Sequence, residues 1–232
     1  MWFNNVSEKQ KYSRAQLFSL FCKEKEKPLK SSFDWEMYNL QKNGKLFKVG
    51  RNCYSSKKPI ELPSYVPAYS DKAIQLQKYV KRKFPNLEFV IFETVLLNEF
   101  LNHLIAQNTI FIQIPKEVNS FVFDVLRQDS EDKILYKPSK KDFLRYQFKD
   151  CIVISDLLSQ SPISSTSPNT ILLEKMMVDI IADKNIASVY SPAELPEIYE
   201  YILNHYNLNI AAMIRYAGRR NKIEKIKELI GK

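Results

Sequence analysis

The stretch SSFDWEMYNLQKNGKLFKVGRNCY, residues 31–54, decides the fold of the N-terminal quarter of the chain. Ser31 and Ser32 are residues of the kind that cap a helix by accepting its first backbone N–H bonds. A helix is therefore expected over 33–43. On it Phe33, Met37 and Leu40 recur at i, i+4 and i+7, a single apolar stripe. Gly44 stands where a left-handed residue ends a helix. Residues 45–49 predict a strand, Gly50-Arg51-Asn52 a turn, and Cys53-Tyr54 the returning strand. Upstream, Ser13 predicts the cap of a first helix over 14–25, with Ala15, Leu17, Phe18, Leu20 and Phe21 as its apolar face. Pro28 ends the turn between the two helices. Helix, turn, helix, hairpin is the order of a winged helix-turn-helix.

Charge points the same way. Of a net +9 over 232 residues, residues 1–60 hold 13 Lys/Arg against 5 Asp/Glu, a net of +8. Such a patch concentrates polyanions and supplies phosphate contacts. If Phe33, Met37 and Leu40 point inward, Ser31, Ser32, Trp35 and Asn39 lie near the outward face. Lys30 precedes the helix, and Lys45, Lys48 and Arg51 line the hairpin. These eight are the candidate DNA-binding residues. The plainer alternatives are a solvated face for the lysines and packing on the first helix for Trp35. Asp34 and Glu36 on the same helix oppose phosphate contact. A second basic surface is expected from Arg215, Arg219, Arg220 and Lys222, on a helix over 210–229.

Pro59, Pro63 and Pro67 interrupt both helices and ladders and mark a linker. The expected domains are 1–58, a linker over 59–70, and 71–232. Beyond the linker, helices are expected over 71–84, 93–107, 117–127 and 139–146. Strands are expected over 87–92, 109–114, 134–136 and 151–155. A polar loop over 159–168 precedes helices over 170–182, 192–206 and 210–229. Alternation of this kind predicts an α/β domain with helices over a sheet, and the helical tail could form a subdomain.

Several classes of chemistry find no material in the sequence. The four glycines are Gly44, Gly50, Gly218 and Gly231, so neither a P-loop nor a dinucleotide fingerprint can be built over 51–217. His103 and His205 stand apart, and Cys22, Cys53 and Cys151 form no metal-ligand pair. No cofactor and no metal are expected. Three widely spaced cysteines without an export signal point to a reduced, cytoplasmic setting. No apolar run approaches the roughly 18 residues of a membrane span. Asp124 with Glu131-Asp132-Lys133 formally satisfies a D…ExK nuclease pattern, but its parts fall in a helix and a polar turn. Glu174, Asp179 and Asp183 share one helix and read as helix-end or packing residues. The order of elements over 71–114 looks like the start of a nucleotidyltransferase fold. There Phe92-Glu93-Thr94 and Phe111-Ile112-Gln113-Ile114 replace the Gly-Ser turn and paired aspartates such chemistry needs. The chain is read as non-enzymatic. The alternative is a metal-dependent nuclease or nucleotidyltransferase-fold enzyme targeted by a winged helix. A scaffold that uses the winged helix for protein contact is a third possibility.

Residues 31–54 also resemble the N-terminal winged helix of AbiEi-type antitoxins of type IV toxin–antitoxin and abortive-infection pairs. The resemblance continues in Phe84-Pro85-Asn86-Leu87-Glu88-Phe89, Leu97-Asn98-Glu99-Phe100-Leu101-Asn102-His103, Glu174-Lys175 to Asp179, Ala182-Asp183 and Arg215-Tyr216-Ala217. It implies a transcriptional autoregulator that binds double-stranded DNA at its own promoter. It further implies an antitoxin that antagonises a nucleotidyltransferase-like toxin in phage defence. Where that wing carries Arg-Gly before its aromatic, Asn52 follows Arg51 here; Asn tolerates the left-handed turn.

Overall fold

Ser13 opens the first helix with a capping box. Its hydroxyl accepts from the Gln16 N–H, and the Gln16 side chain accepts from the Ser13 N–H. A computed structural model describes residues 2–6, 11–25, 28–50, 52–59, 61–146 and 150–231. The fold is mixed α/β and divides into two units, Met1–Glu61 and Leu62–Lys232.

The first unit runs α1 (Arg14–Glu24), α2 (Lys30–Lys42), β1 (Phe47–Gly50) and β2 (Cys53–Ser55). Leu17 and Phe21 of α1 pack with Trp2, Phe33, Met37, Leu46 and Tyr54 in one core. Ring centroids of Trp2 lie 5.9 Å from Phe21 and 6.0 Å from Phe33. Two local expectations fail. Ala15 is exposed, so the face of α1 is narrower than its sequence predicts. Ser31 and Ser32 do not cap α2; the helix starts earlier, from Leu29, whose side chain makes no cap bond. Phe33 fixes that start, because its N–H reaches the Leu29 carbonyl while its ring fills the core. Gly44 ends α2 at φ 64°, a backbone conformation that suits glycine. β1 and β2 are antiparallel, with an irregularity between Lys48 and Gly50. Tyr12 joins β2 through two backbone bonds with Tyr54, of 2.9 and 2.8 Å.

The second unit contains α3 (Asp71–Lys83), β3 (Val90–Glu93), β4 (Ile110–Ile114), α4 (Asn119–Asp129), β5 (Ile134–Tyr136), α5 (Lys140–Tyr146) and β6 (Ile152–Asp156). It then continues with α6 (Leu173–Ala182), α7 (Leu195–His205), α8 (Ile210–Arg219) and α9 (Ile223–Leu229). The strand order is β3-β4-β6-β5, with β3 antiparallel to β4 and the other pairs parallel. Side chains alternate across the sheet. Ile110, Ile112, Ile114, Ile152 and Ile154 face α3 and α4. Phe92, Phe111, Leu135 and Val153 face a second core with α6, α7, α8 and α9. The helical tail shares that core and forms no subdomain.

Two expected helices are not formed as expected. Over 93–107 there is a 3-10 segment at Thr94–Glu99, then irregular chain. Leu96, Leu97, Phe100 and Leu101 are buried at helix-like spacing. The Asn98 carboxamide, however, donates to the Ile105 carbonyl and accepts from the Ile105 N–H. That bracket closes a loop in place of an α-helix, so the second helix of the expected helix–strand–helix–strand order is a short 3-10 segment. The single tail helix is two helices, broken where Asn221 takes φ 55°. The second half of the expected linker belongs to the second unit. Its Tyr69 hydroxyl donates to the Ile91 carbonyl and accepts from the Ile171 N–H. Glu93, fully buried, accepts from Ser70 N–H, Ser70 Oγ and Asn108 Nδ2.

A buried ionic network ties β4, α6 and α8 together. Lys175 Nζ lies 2.8 Å from Asp179 Oδ2 and 2.9 Å from the Tyr216 hydroxyl. Gln113 Nε2 and the Tyr216 hydroxyl both donate to the Asp179 carboxylate, and Arg220 Nε lies 3.6 Å away. Burial pushes the Lys175 ammonium below the usual lysine range, against the pull of Asp179. Burial opposes the Asp179 charge too, but Lys175, Arg220 and Tyr216 together hold the carboxyl below its ordinary range. Asp179→Ala strands the buried Lys175 and removes the partner of the half-buried Arg220. Removal of one partner of a buried pair costs about 3–5 kcal/mol, and urea unfolding followed by circular dichroism should show a loss of that size. Lys175→Met with Asp179→Leu should cost less than Asp179→Ala alone. A single substitution costing under about 1 kcal/mol contradicts this account of the network.

Candidate nucleic-acid interface

The outward face of α2 follows from its buried one. Phe33 and Met37 are 1% exposed, so the opposite side of the helix faces solvent. Trp35 is 68% exposed there, and Asn39, one turn on, is half-buried. Lys30, Ser31, Ser32, Lys45 and Lys48 are all exposed. Lys30 and Lys45 bracket the helix, and Lys48 stands on β1. Arg51 lies outside the described residues. A sequence reading that followed the outward stripe further would also have found Tyr38 and Lys42, both exposed. They stand three and seven residues after Trp35, on the same side of a helix of 3.6 residues per turn.

The two acids on α2 are tied back to the unit. Asp34 accepts from Arg14 Nη2 at 2.5 Å, and Arg14 also lies over the Phe33 ring. Asp34 raises the Arg14 pKa further, after a larger contribution from the Tyr54 hydroxyl. Glu36 accepts from the Trp2 indole N–H and lies 3.3 Å from Lys25 Nζ. Among the described residues, neither the Trp35 indole nor the Asn39 carboxamide is hydrogen-bonded. Trp35, Asn39, Asn43 and Lys45 border one recess of about 370 Å³. At the other end of the helix, the N-cap residue Leu29 makes no side-chain bond to the first-turn N–H groups of Lys30, Ser31 and Ser32. Uncapped N–H groups at a helix start carry partial positive charge and suit phosphate oxygens.

The hairpin is fastened to α1 at its tip. Asn52 takes φ 54°, and its Oδ1 accepts from the Arg14 N–H at 3.1 Å. One residue thus supplies both the left-handed turn and a bond to the N-terminus of α1.

Of the four residues of the expected second basic surface, Arg215 and Arg219 are exposed and one is drawn inward. Arg220 turns inward to Asp179 and is 17% exposed, and Arg219 Nε donates to Ser159 Oγ at 2.9 Å. Lys222 is half-buried. The D…ExK residues do not converge. Asp124 is exposed on α4, Asp132 pairs with Lys72 at 2.8 Å, and Lys133 lies over the Tyr146 ring. Among the described residues no three His, Cys, Asp or Glu side chains are placed to hold a metal ion. Glu174 accepts from the Asn209 N–H and Asp183 from those of Asn185 and Ile186, which are helix-end roles. Among the described residues no helix is long and apolar enough to cross a membrane.

The model of a family of unknown function, DUF6577, matches residues 32–232, and the chain belongs to that family. A search of curated proteins finds no match.

Both tryptophans, Trp2 and Trp35, lie in the first unit, so indole fluorescence reports its unfolding alone. A left-handed backbone costs a residue with a Cβ about 1–2 kcal/mol, a penalty that Asn offsets by local bonding. Asn52→Ala should therefore lower the unit's stability by about that much in a urea titration. Asn52→Gly should recover part of the loss. Equal stability of wild type and Asn52→Ala contradicts the role given to the hairpin tip.

Proposed function

We propose that the first unit is a winged helix that lays α2 in the major groove of duplex DNA. The carrying observation is the make-up of the outward face of α2. A 68% exposed indole and an unengaged carboxamide occupy its middle, lysines stand at both ends, and both acids are tied to other side chains. A 13-residue helix is about 20 Å long, and its width suits a groove about 12 Å across. The backbone bonds between Tyr12 and Tyr54 support the winged reading. They set the segment before α1 beside the hairpin, a third strand-like edge behind the wing.

In this reading Ser31, Ser32 and Lys30 hold one phosphate run through side chains and N–H groups. Trp35 and Asn39 meet base edges, and Lys45 and Lys48 hold the opposite backbone. The charge of residues 1–60, net +8, supplies the affinity that does not depend on sequence. The resemblance to AbiEi-type antitoxins adds the biological role. The chain binds its own promoter, autoregulates its operon and acts as antitoxin to a nucleotidyltransferase-like toxin encoded beside it.

The test is a fluorescence-anisotropy titration of the full chain with a duplex from upstream of its own reading frame, at two salt concentrations. The affinity should fall steeply with salt. Each phosphate contact contributes about 0.9 to the log–log slope, so Lys45→Ala with Lys48→Ala should reduce that slope by about 2. Full affinity and an unchanged slope in the double variant would remove the hairpin from the interface.

A further inference from the structure

We infer that α2 reads an A·T-containing step, with Asn39 on adenine and Trp35 on the methyl group of thymine. The inference rests on the duplex-binding reading above and adds what the helix recognises.

Each base edge requires a particular kind of side chain. Guanine is read by a guanidinium or ammonium on O6 and N7, cytosine by a carboxylate on N4, and adenine by an Asn or Gln carboxamide on N6 and N7. The first unit's arginines are Arg14 and Arg51. Arg14 is held by Asp34 over the Phe33 ring, and Arg51 lies outside α2. The carboxylates of Asp34 and Glu36 are occupied by Arg14, by Trp2 and by Lys25. The lysines Lys30, Lys42 and Lys45 sit at the ends of the outward stripe, where backbone phosphates pass. What remains in the middle is a carboxamide with donor and acceptor both open, an exposed indole one turn before it, and the exposed ring of Tyr38 beside them.

Spacing agrees. Residues i and i+4 are stacked along the helix about 6 Å apart, and base pairs rise about 3.4 Å. Asn39 on one adenine therefore puts Trp35 at a thymine one or two steps away. The thymine methyl is the apolar feature of the major groove and the contact an indole can make there. The recess beside Trp35 and Asn39 is bordered by Leu40 and Asn43 as well as by the charged Glu24, Lys25, Glu36 and Lys45, so the methyl contact rests on the exposed indole itself.

Selection of binders from a library of random-sequence 20-base-pair duplexes by the full chain provides the probe. In the selected duplex each adenine is then replaced in turn by 7-deaza-adenine, and each thymine by uracil. Neither change alters the protein, so folding of variants does not enter. One 7-deaza-adenine should weaken binding about tenfold, the loss of one of two hydrogen bonds of a bidentate contact. A uracil within two steps of it should weaken binding severalfold. Asn39→Ala should remove the 7-deaza-adenine effect, and Trp35→Ala the uracil effect. Selected duplexes without a fixed A·T pair, or with one indifferent to both analogues, overturn this inference and leave duplex binding intact. Failure to retain any duplex at low salt overturns both.

Discussion

The rotation of α2 about its own axis is the constraint on which the first unit depends. Phe33 and Met37 are driven into a core of Trp2, Leu17, Phe21, Leu46 and Tyr54. Burial of a side chain of that size is worth about 1.5–3 kcal/mol. A turn of one residue would expose Phe33 and press Asp34 into an aromatic core, which no ion pair there could offset. With the helix so fixed, Trp35 and Asn39 have only one direction to face. Arg14 and Lys25 complete the arrangement. Each is fastened to an acid of α2, so the outward stripe loses its negative charge without the loss of its position.

The second unit uses charge for cohesion. Asp179 accepts from Lys175, Tyr216 and Gln113 beneath α6 and α8, and Lys175 also reaches Tyr216. Desolvation makes such a network costly to break and places Arg220 where Asp179 can reach it. That is why Arg220 is drawn away from the other cations of the tail. An arginine four residues after Tyr216 shares its side of the helix end and follows it inward. Net charge per segment carries no information about which cations are spent in the core.

Much of the fold was legible because its signals are local. The Ser13 capping box, Gly44, the hairpin, the Ile-rich strands and the Phe33–Met37 stripe each depend on residues within a few positions. The misreadings share a cause. Asn98 brackets Ile105, Arg220 seeks Asp179, and Phe33 sets a helix start that two serines would have placed later. In each, a tertiary contact overrode a local preference. For the interface, the core stripe of α2 located Trp35 and Asn39. Tyr38 and Lys42 followed from the same periodicity, three and seven residues after Trp35, and were missed. The i,i+4 pair of Lys175 and Asp179 reads in sequence as an exposed helix pair, and the second partner, Tyr216, is 41 residues away.

In the proposed function the solvent-facing side of α2 is the surface that meets DNA. Amide chemical-shift mapping of the full chain, with and without its promoter duplex, tests it most directly. The account predicts that the largest changes cluster over residues 30–48, with the Trp35 indole N–H among them. Shifts confined to the second unit, or none at all at low salt, would contradict it.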